Sequence, residues 1–171
     1  MRKNHPTPRN DEDFEILCLK LLRAHWKCEE LELYSTSGGK QHGIDIIDMS
    51  GQEPMRGAQC KLHEEGKSIT GKEILKEVEK AKVFKPALGL YVILTTTKRN
   101  KDAQDTVIAI NREHRQKGLF EVQLWNWSRI EELLDQYTDI RDHYEGGIAA
   151  DAVSRLEGKI NAGVELSLIH I

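Results

Sequence analysis

The sequence predicts an α/β (α+β) fold in which a mixed central sheet is flanked by helices. Three observations predict it. Apolar residues recur at helical spacing ahead of the first strands and again between the later ones. Two short β-rich runs are joined by the turn-rich Ser50-Gly51-Gln52-Glu53-Pro54, as a hairpin requires. The nearly continuous apolar run Gly89 to Leu94 reads as a strand covered on both faces.

Met1 to Asn10 carries two prolines and three basic residues without apolar periodicity, so residues 1–10 are expected to be a flexible tail. From Asp11, the spacing of Phe14, Leu17, Cys18, Leu21 and Leu22 predicts a helix with acids in its first turn, ending near Trp26 to Cys28. Leu31 to Ser35 alternates as a strand, and Ser37 to Gly43 is a glycine-bearing loop. Ile44 to Met49 and Met55 to Leu62 form the hairpin. Thr70, with Glu73 three residues on, caps a helix carrying Ile74, Leu75, Val78 and Ala81 and ending at Lys85-Pro86. A strand over Leu88 to Thr95, a helix over Lys101 to Lys117 stopped by Gly118, and a strand over Phe120 to Trp125 come next. Ser128 and Glu131 then make a capping box for a helix over Arg129 to Gln136. A hairpin is antiparallel and a strand-helix-strand unit is most simply parallel, so the sheet is mixed.

The chain has 171 residues, 39% hydrophobic and 31% charged, which suits one domain with a real core and argues against wholesale disorder. No apolar run approaches the roughly 20 residues that span a bilayer, and no signal-peptide core follows Met1, so a soluble, cytoplasmic chain without a membrane partner is expected. Cys18, Cys28 and Cys60 form no CxxC pair and read as buried free thiols. The formal net charge of −3 conceals an asymmetry. Residues 56–117 hold 14 Lys+Arg against 8 Asp+Glu, a local +6, and the rest carries −9. An anionic partner is therefore to be met by the middle third.

The hairpin concentrates polar residues on one side. Centred on Gln52, its antiparallel partners sum to about 104, which sets Asp45 opposite Gln59 and diagonal to Lys61. Ile44 and Ile46 are expected to meet Ala58, Cys60 and Leu62 on the other face. An acid, an amide and an amine so grouped suit phosphodiester hydrolysis. Asp45, the Gln59 carbonyl oxygen and the Cys60 backbone carbonyl offer oxygen ligands to Mg2+, or to Mn2+ in its place. Lys61 is placed to stabilise charge on the reacting phosphate.

Gly43-Ile44-Asp45-Ile46 followed by Gln59-Cys60-Lys61, after a helix bearing Glu15 and before an α-β unit, resembles the Mrr-like branch of the PD-(D/E)xK restriction-endonuclease superfamily. That branch reads G-x-D and then Q-x-K, and the resemblance covers Asp11 to Tyr137. It implies a restriction-endonuclease-like αβββαβ core and a Mg2+-dependent DNA endonuclease. Asp45, Gln59 and Lys61 match the catalytic positions, and Glu15 matches a helix acid that completes the metal site. Gln59 departs from the acidic residue of the superfamily's name and agrees with the Mrr variant. The resemblance further implies a role in restriction or anti-phage defence, on double-stranded DNA, as a homodimer or as part of a chain with a fused NTPase or sensor domain. The domain is expected over residues 11–145. Residues 146–165 then form a linker or helix leading to a missing C-terminal region, and 166–171 resemble an adapter-derived scar.

Other readings stand beside these. Asp45 and Lys61 also fit an ordinary cross-strand ion pair, and Glu15 a solvated first-turn acid. Lys72, Lys76, Lys98 and Arg99, with Ser35, Thr36 and Lys40, are candidate DNA-backbone contacts or plain solvated surface. Gly66-Lys67-Ser68 lacks the glycine that a P-loop needs five residues earlier, where Lys61 stands. A zinc site from Cys60, His63 and His42 is disfavoured because the strand turns Cys60 inward. The alternatives in function are a non-catalytic nucleic-acid-binding module on a nuclease fold, and a junction-resolving or transposon-end-processing nuclease.

Overall fold

The computed structural model describes residues 4–34 and 43–169, and no helix in it is long and apolar enough to cross a membrane. Asn10 caps helix α1 (Asp11–Trp26) by accepting from the Asp13 N–H, and three first-turn acids face the positive helix end. Strands β1 (Leu31–Leu33), β2 (Ile46–Asp48) and β3 (Arg56–Lys61) come next. Helix α2 (Gly71–Lys82) opens on the Thr70/Glu73 capping box that the sequence predicts. Strand β4 (Leu90–Thr95), helix α3 (Lys101–Lys117) with Gly118 in the left-handed region as its C-cap, and strand β5 (Glu121–Trp125) complete the α/β portion. Helices α4 (Trp127–Gln136) and α5 (Thr138–Ile169) close the described chain.

The strands lie in sequence order, β1 to β5. β1, β2 and β3 pair antiparallel, and β3, β4 and β5 pair parallel. Ile46 opposes Ala58 and Ile47 opposes Gly57, which is the register expected from a connection centred on Gln52. The architecture is α/β with a mixed sheet, as predicted.

Both faces of the sheet are covered, and side chains alternate between them. Phe14, Leu17, Leu21 and Leu22 of α1 and Ile130, Leu133 and Leu134 of α4 pack on Ile46, Ala58, Cys60, Val92 and Leu94. Ile74, Val78 and Ala81 of α2 and Ala103 and Ile110 of α3 pack on Ile47, Tyr91, Ile93 and Val122. Parallel crossovers place helices over a sheet in this way, and β4 is accordingly buried from Tyr91 to its end at Thr95.

Four expectations change. Ile44 packs with Ile47 on the α2 side instead of sharing a face with Ile46. Gly43 stands at φ 68° and the chain bends at Asp45, so strict alternation begins only at Ile46. The cap of α4 is Asn126, which accepts from the Arg129 N–H, and no box forms on Ser128. Gly146 and Gly147, expected to begin a separate linker or helix, lie inside the continuous α5. Residues 4–10, expected as flexible tail, are anchored. The His5 ring is buried, with Nδ1 2.6 Å from Glu145 and Nε2 2.8 Å from Asp135, while the Tyr144 hydroxyl donates to the Pro6 carbonyl.

Candidate active site

The carboxyl ends of β3 and β4 lie between α1 and α2, and the polar residues of the hairpin gather there. Asp45 sits one residue before β2. Its N–H donates to the Ala58 carbonyl at 2.8 Å, and its Oδ2 accepts from the Cys60 N–H at 2.8 Å, so backbone and side chain are both tied to β3. Only 3% of the residue is exposed. Burial pushes its carboxyl above the usual range, and the charges of Glu77 and Asp11 push the same way; the Cys60 N–H and Lys61 oppose them without prevailing.

Gln59 faces the same side of the sheet as Ile93, its partner across β4. It is buried, and its Oε1 has no hydrogen-bond partner among the described residues. An acceptor left unsatisfied in this way is rare in a folded core and calls for an explanation. Lys61 ends β3, two residues on and on the same face. Its Nζ lies 2.8 Å from Oε1 of Glu77, so its ion pair is made with α2, and the cross-strand pair with Asp45 is not the one that forms. Cys60 points into the α1 side of the core, as expected, where burial and the neighbouring Cys18 raise its thiol well above its ordinary range.

Glu15, in the first turns of α1, lies in the electrostatic field of Asp45. Burial pushes its carboxyl up to about 7, and the charge of Asp45 is the next largest cause, ahead of Asp11 and Glu12. A buried carboxylate, an amide oxygen without a donor among the described residues and a further carboxyl raised partly by Asp45 make a site short of positive charge on its acid side. A hard divalent cation with oxygen ligands answers that shortage, and Mg2+ needs only one or two protein carboxylates because it retains waters. The buried Asp45 carboxylate and the Gln59 oxygen without a partner among the described residues suit such an ion. Among the described residues no group of three or more His, Cys, Asp or Glu side chains is placed to hold a metal ion.

Glu77 is the residue that the sequence reading missed. It is 4% exposed, and its Oε2 is buried without a hydrogen-bond partner among the described residues. The signal was present: Ile74, Val78 and Ala81 define the buried stripe of α2, and Glu77 falls on that stripe, three residues after Ile74 and four before Ala81. A second α2 acid, Glu73, takes His63 at 2.9 Å, two residues beyond Lys61 in the chain.

The basic candidates divide. Lys72 and Lys76 are exposed on α2, and Lys98 and Arg99 are exposed just after β4, at the same end of the sheet as Lys61. The starts of α2 and α3 are tied by Asn100 donating to the Ile69 carbonyl and by the Gly71 N–H donating to Asp102, both at 2.9 Å. Ser35, Thr36 and Lys40 lie outside the described residues.

Comparison with known proteins adds a family. A family model described as a restriction endonuclease, of the Mrr catalytic type, matches residues 18–134, more than half of the chain. Asp45, Gln59, Lys61 and Glu77 fall inside that match and Glu15 falls outside it. No curated protein matches. Among solved structures, the DNA modification-dependent restriction endonuclease AspBHI is similar at 18% identity with a TM-score of 0.42, over 88% of this chain and 44% of that one. The chain thus spans less than half the length of that protein.

Proposed function

The chain belongs to the Mrr-like restriction endonuclease family, and we propose that it is a Mg2+-dependent endonuclease hydrolysing phosphodiester bonds of double-stranded DNA in restriction or anti-phage defence. The observation that carries the reading is the buried Asp45, clamped to the Cys60 N–H, beside a Gln59 oxygen that nothing among the described residues satisfies.

Bound here, Mg2+ or Mn2+ would supply Lewis-acid polarisation of the phosphate and a water of lowered pKa. The chain's own residues do the rest. The Cys60 N–H fixes one oxygen of Asp45 and so orients the carboxylate without a flexible side chain. Gln59 offers a neutral oxygen, which holds a cation more weakly than the acid it replaces, and the Cys60 carbonyl offers another. Glu15 contributes a carboxyl that is proton-poised near neutrality. Lys61 places a positive charge where charge develops on the scissile phosphate. Lys72, Lys76, Lys98 and Arg99 contact the DNA backbone, and Ser35, Thr36 and Lys40 precede the site in sequence. One such site cuts one strand, so a double-strand break takes a homodimer.

The test is incubation of the purified protein with supercoiled plasmid, with Mg2+ and with chelator, alongside Asp45→Ala. Nicking or linearisation that needs Mg2+ and disappears in a folded Asp45→Ala protein is expected. Salt-sensitive binding without cleavage would replace the reading with a non-catalytic DNA-binding module. Preference for branched DNA or transposon ends would keep the chemistry and change the substrate.

A further inference from the structure

A carboxylate on the core-facing stripe of a helix is costly to bury unless a cation meets it, and removing the partner of such a pair leaves an uncompensated charge. α2 is seated firmly enough for that pairing to define a position: Ile74, Val78 and Ala81 are buried on either side of Glu77, and a capping box opens the helix. Lys61, by contrast, carries its charge on a flexible four-carbon stem, with 29% of its side chain exposed.

We propose that Glu77 is a positioning residue for Lys61, holding its ammonium at the Asp45–Gln59 end of the sheet. The proposal rests on the endonuclease reading for what Lys61 does. Three contacts define the arrangement. Glu77 Oε1 takes Lys61 Nζ at 2.8 Å. A Cβ at Gly43 would come within 3.1 Å of the Glu77 carbonyl and 3.2 Å of Glu77 Oε2, so the chain leading to Asp45 packs directly on this glutamate. The buried Tyr91 hydroxyl then donates to the Gly43 carbonyl at 2.6 Å and pins that chain from the sheet side. One carboxylate therefore indexes the amine of β3 to the approach of the acid. Lys80 also reaches Oε1, at 3.4 Å, but its side chain is nearly half exposed, so it adds charge to the pair without fixing it.

Glu77→Gln keeps the shape and removes the charge. Relative to wild type, plasmid cleavage should lose about 100-fold in kcat, the scale of a misplaced catalytic group, with KM for DNA within about twofold. Glu77→Asp should recover part of the loss. NMR relaxation of the Lys61 13Cε should be restricted in the wild type and as mobile as that of exposed Lys98 in Glu77→Gln. Unchanged kcat in Glu77→Gln, or Lys61 equally ordered in both proteins, would overturn the proposal. If the glutamine variant does not fold, Glu77→Asp carries the same measurements, with loosened Lys61 and reduced kcat expected and an unchanged Lys61 overturning the proposal. If wild type cuts nothing, the endonuclease reading fails, and Lys61 mobility still decides whether Glu77 positions it.

Discussion

Replacing Glu15 by glutamine should stabilise the metal-free protein above neutral pH and leave it unchanged in acid. The folded chain holds this carboxyl at about 7 instead of its ordinary 4.5, first because it is partly buried and then because Asp45 lies near it. A carboxyl whose folded pKa is raised binds its proton more tightly folded than unfolded. Stability therefore falls as pH rises from the unfolded pKa through the folded one, and the loss is complete above about 7. Unscreened, that difference corresponds to about 3 kcal/mol. Glu15 is only partly buried, and solvent screening brings the expected gain in Glu15→Gln to about 1 kcal/mol. For a chain of this size that is about 2–4 °C in Tm. The assay is thermal unfolding in chelator at pH 5 and pH 8 for both proteins, repeated at pH 8 with Mg2+. The variant should melt higher at pH 8, keep only a small part of that advantage at pH 5, and lose it where a cation neutralises the wild-type site. A pH-independent difference, or a lower Tm at pH 8, would refute the raised Glu15 carboxyl.

Two further outcomes test the framework around the site. Gly43→Ala forces a side chain into the left-handed region at φ 68° and against α2 at 3.1 Å, and should destabilise by more than about 1 kcal/mol in urea unfolding; a neutral result would show that the approach to Asp45 is not packed on α2. For His5, burial pulls the ring's pKa down, but the carboxylates of Glu145 and Asp135 outweigh it and hold the pKa above 6.5. Its contribution should be full below 6.5 and fade as pH rises through the folded pKa. The stability gap between wild type and His5→Gln should therefore be widest near pH 6 and shrink toward pH 9, and a constant gap would show that the anchor does not depend on charge.

How far the site can be read from the sequence depends on how local its determinants are. Hairpin register comes from turn length and the two-residue period, so the opposition of Ile46 and Ala58, and with it the placing of Asp45 near Gln59, is legible in residues 45–61 alone. The Thr70/Glu73 box and the Gly118 stop are equally local. Ile44 departs from its expected face because strict alternation does not extend back past the bend at Gly43 and Asp45. The α4 cap is ambiguous in sequence because Asn126 and Ser128 are both good caps, and residue preference alone does not rank them.

By itself, then, the sequence determined the order of elements, the mixed sheet and the D-QxK grouping, because periodicity, capping and turn chemistry act over a few residues. Only the tertiary structure decided who partners whom. It took Lys61 from Asp45 and paired it with Glu77, and it brought Glu15 from α1 into the field of Asp45. It also turned residues 4–10 into a strap held by α4 and α5. These are contacts between elements distant in sequence and packed around one sheet. Burial makes them decisive, because a charge removed from water must find its partner wherever the fold places one.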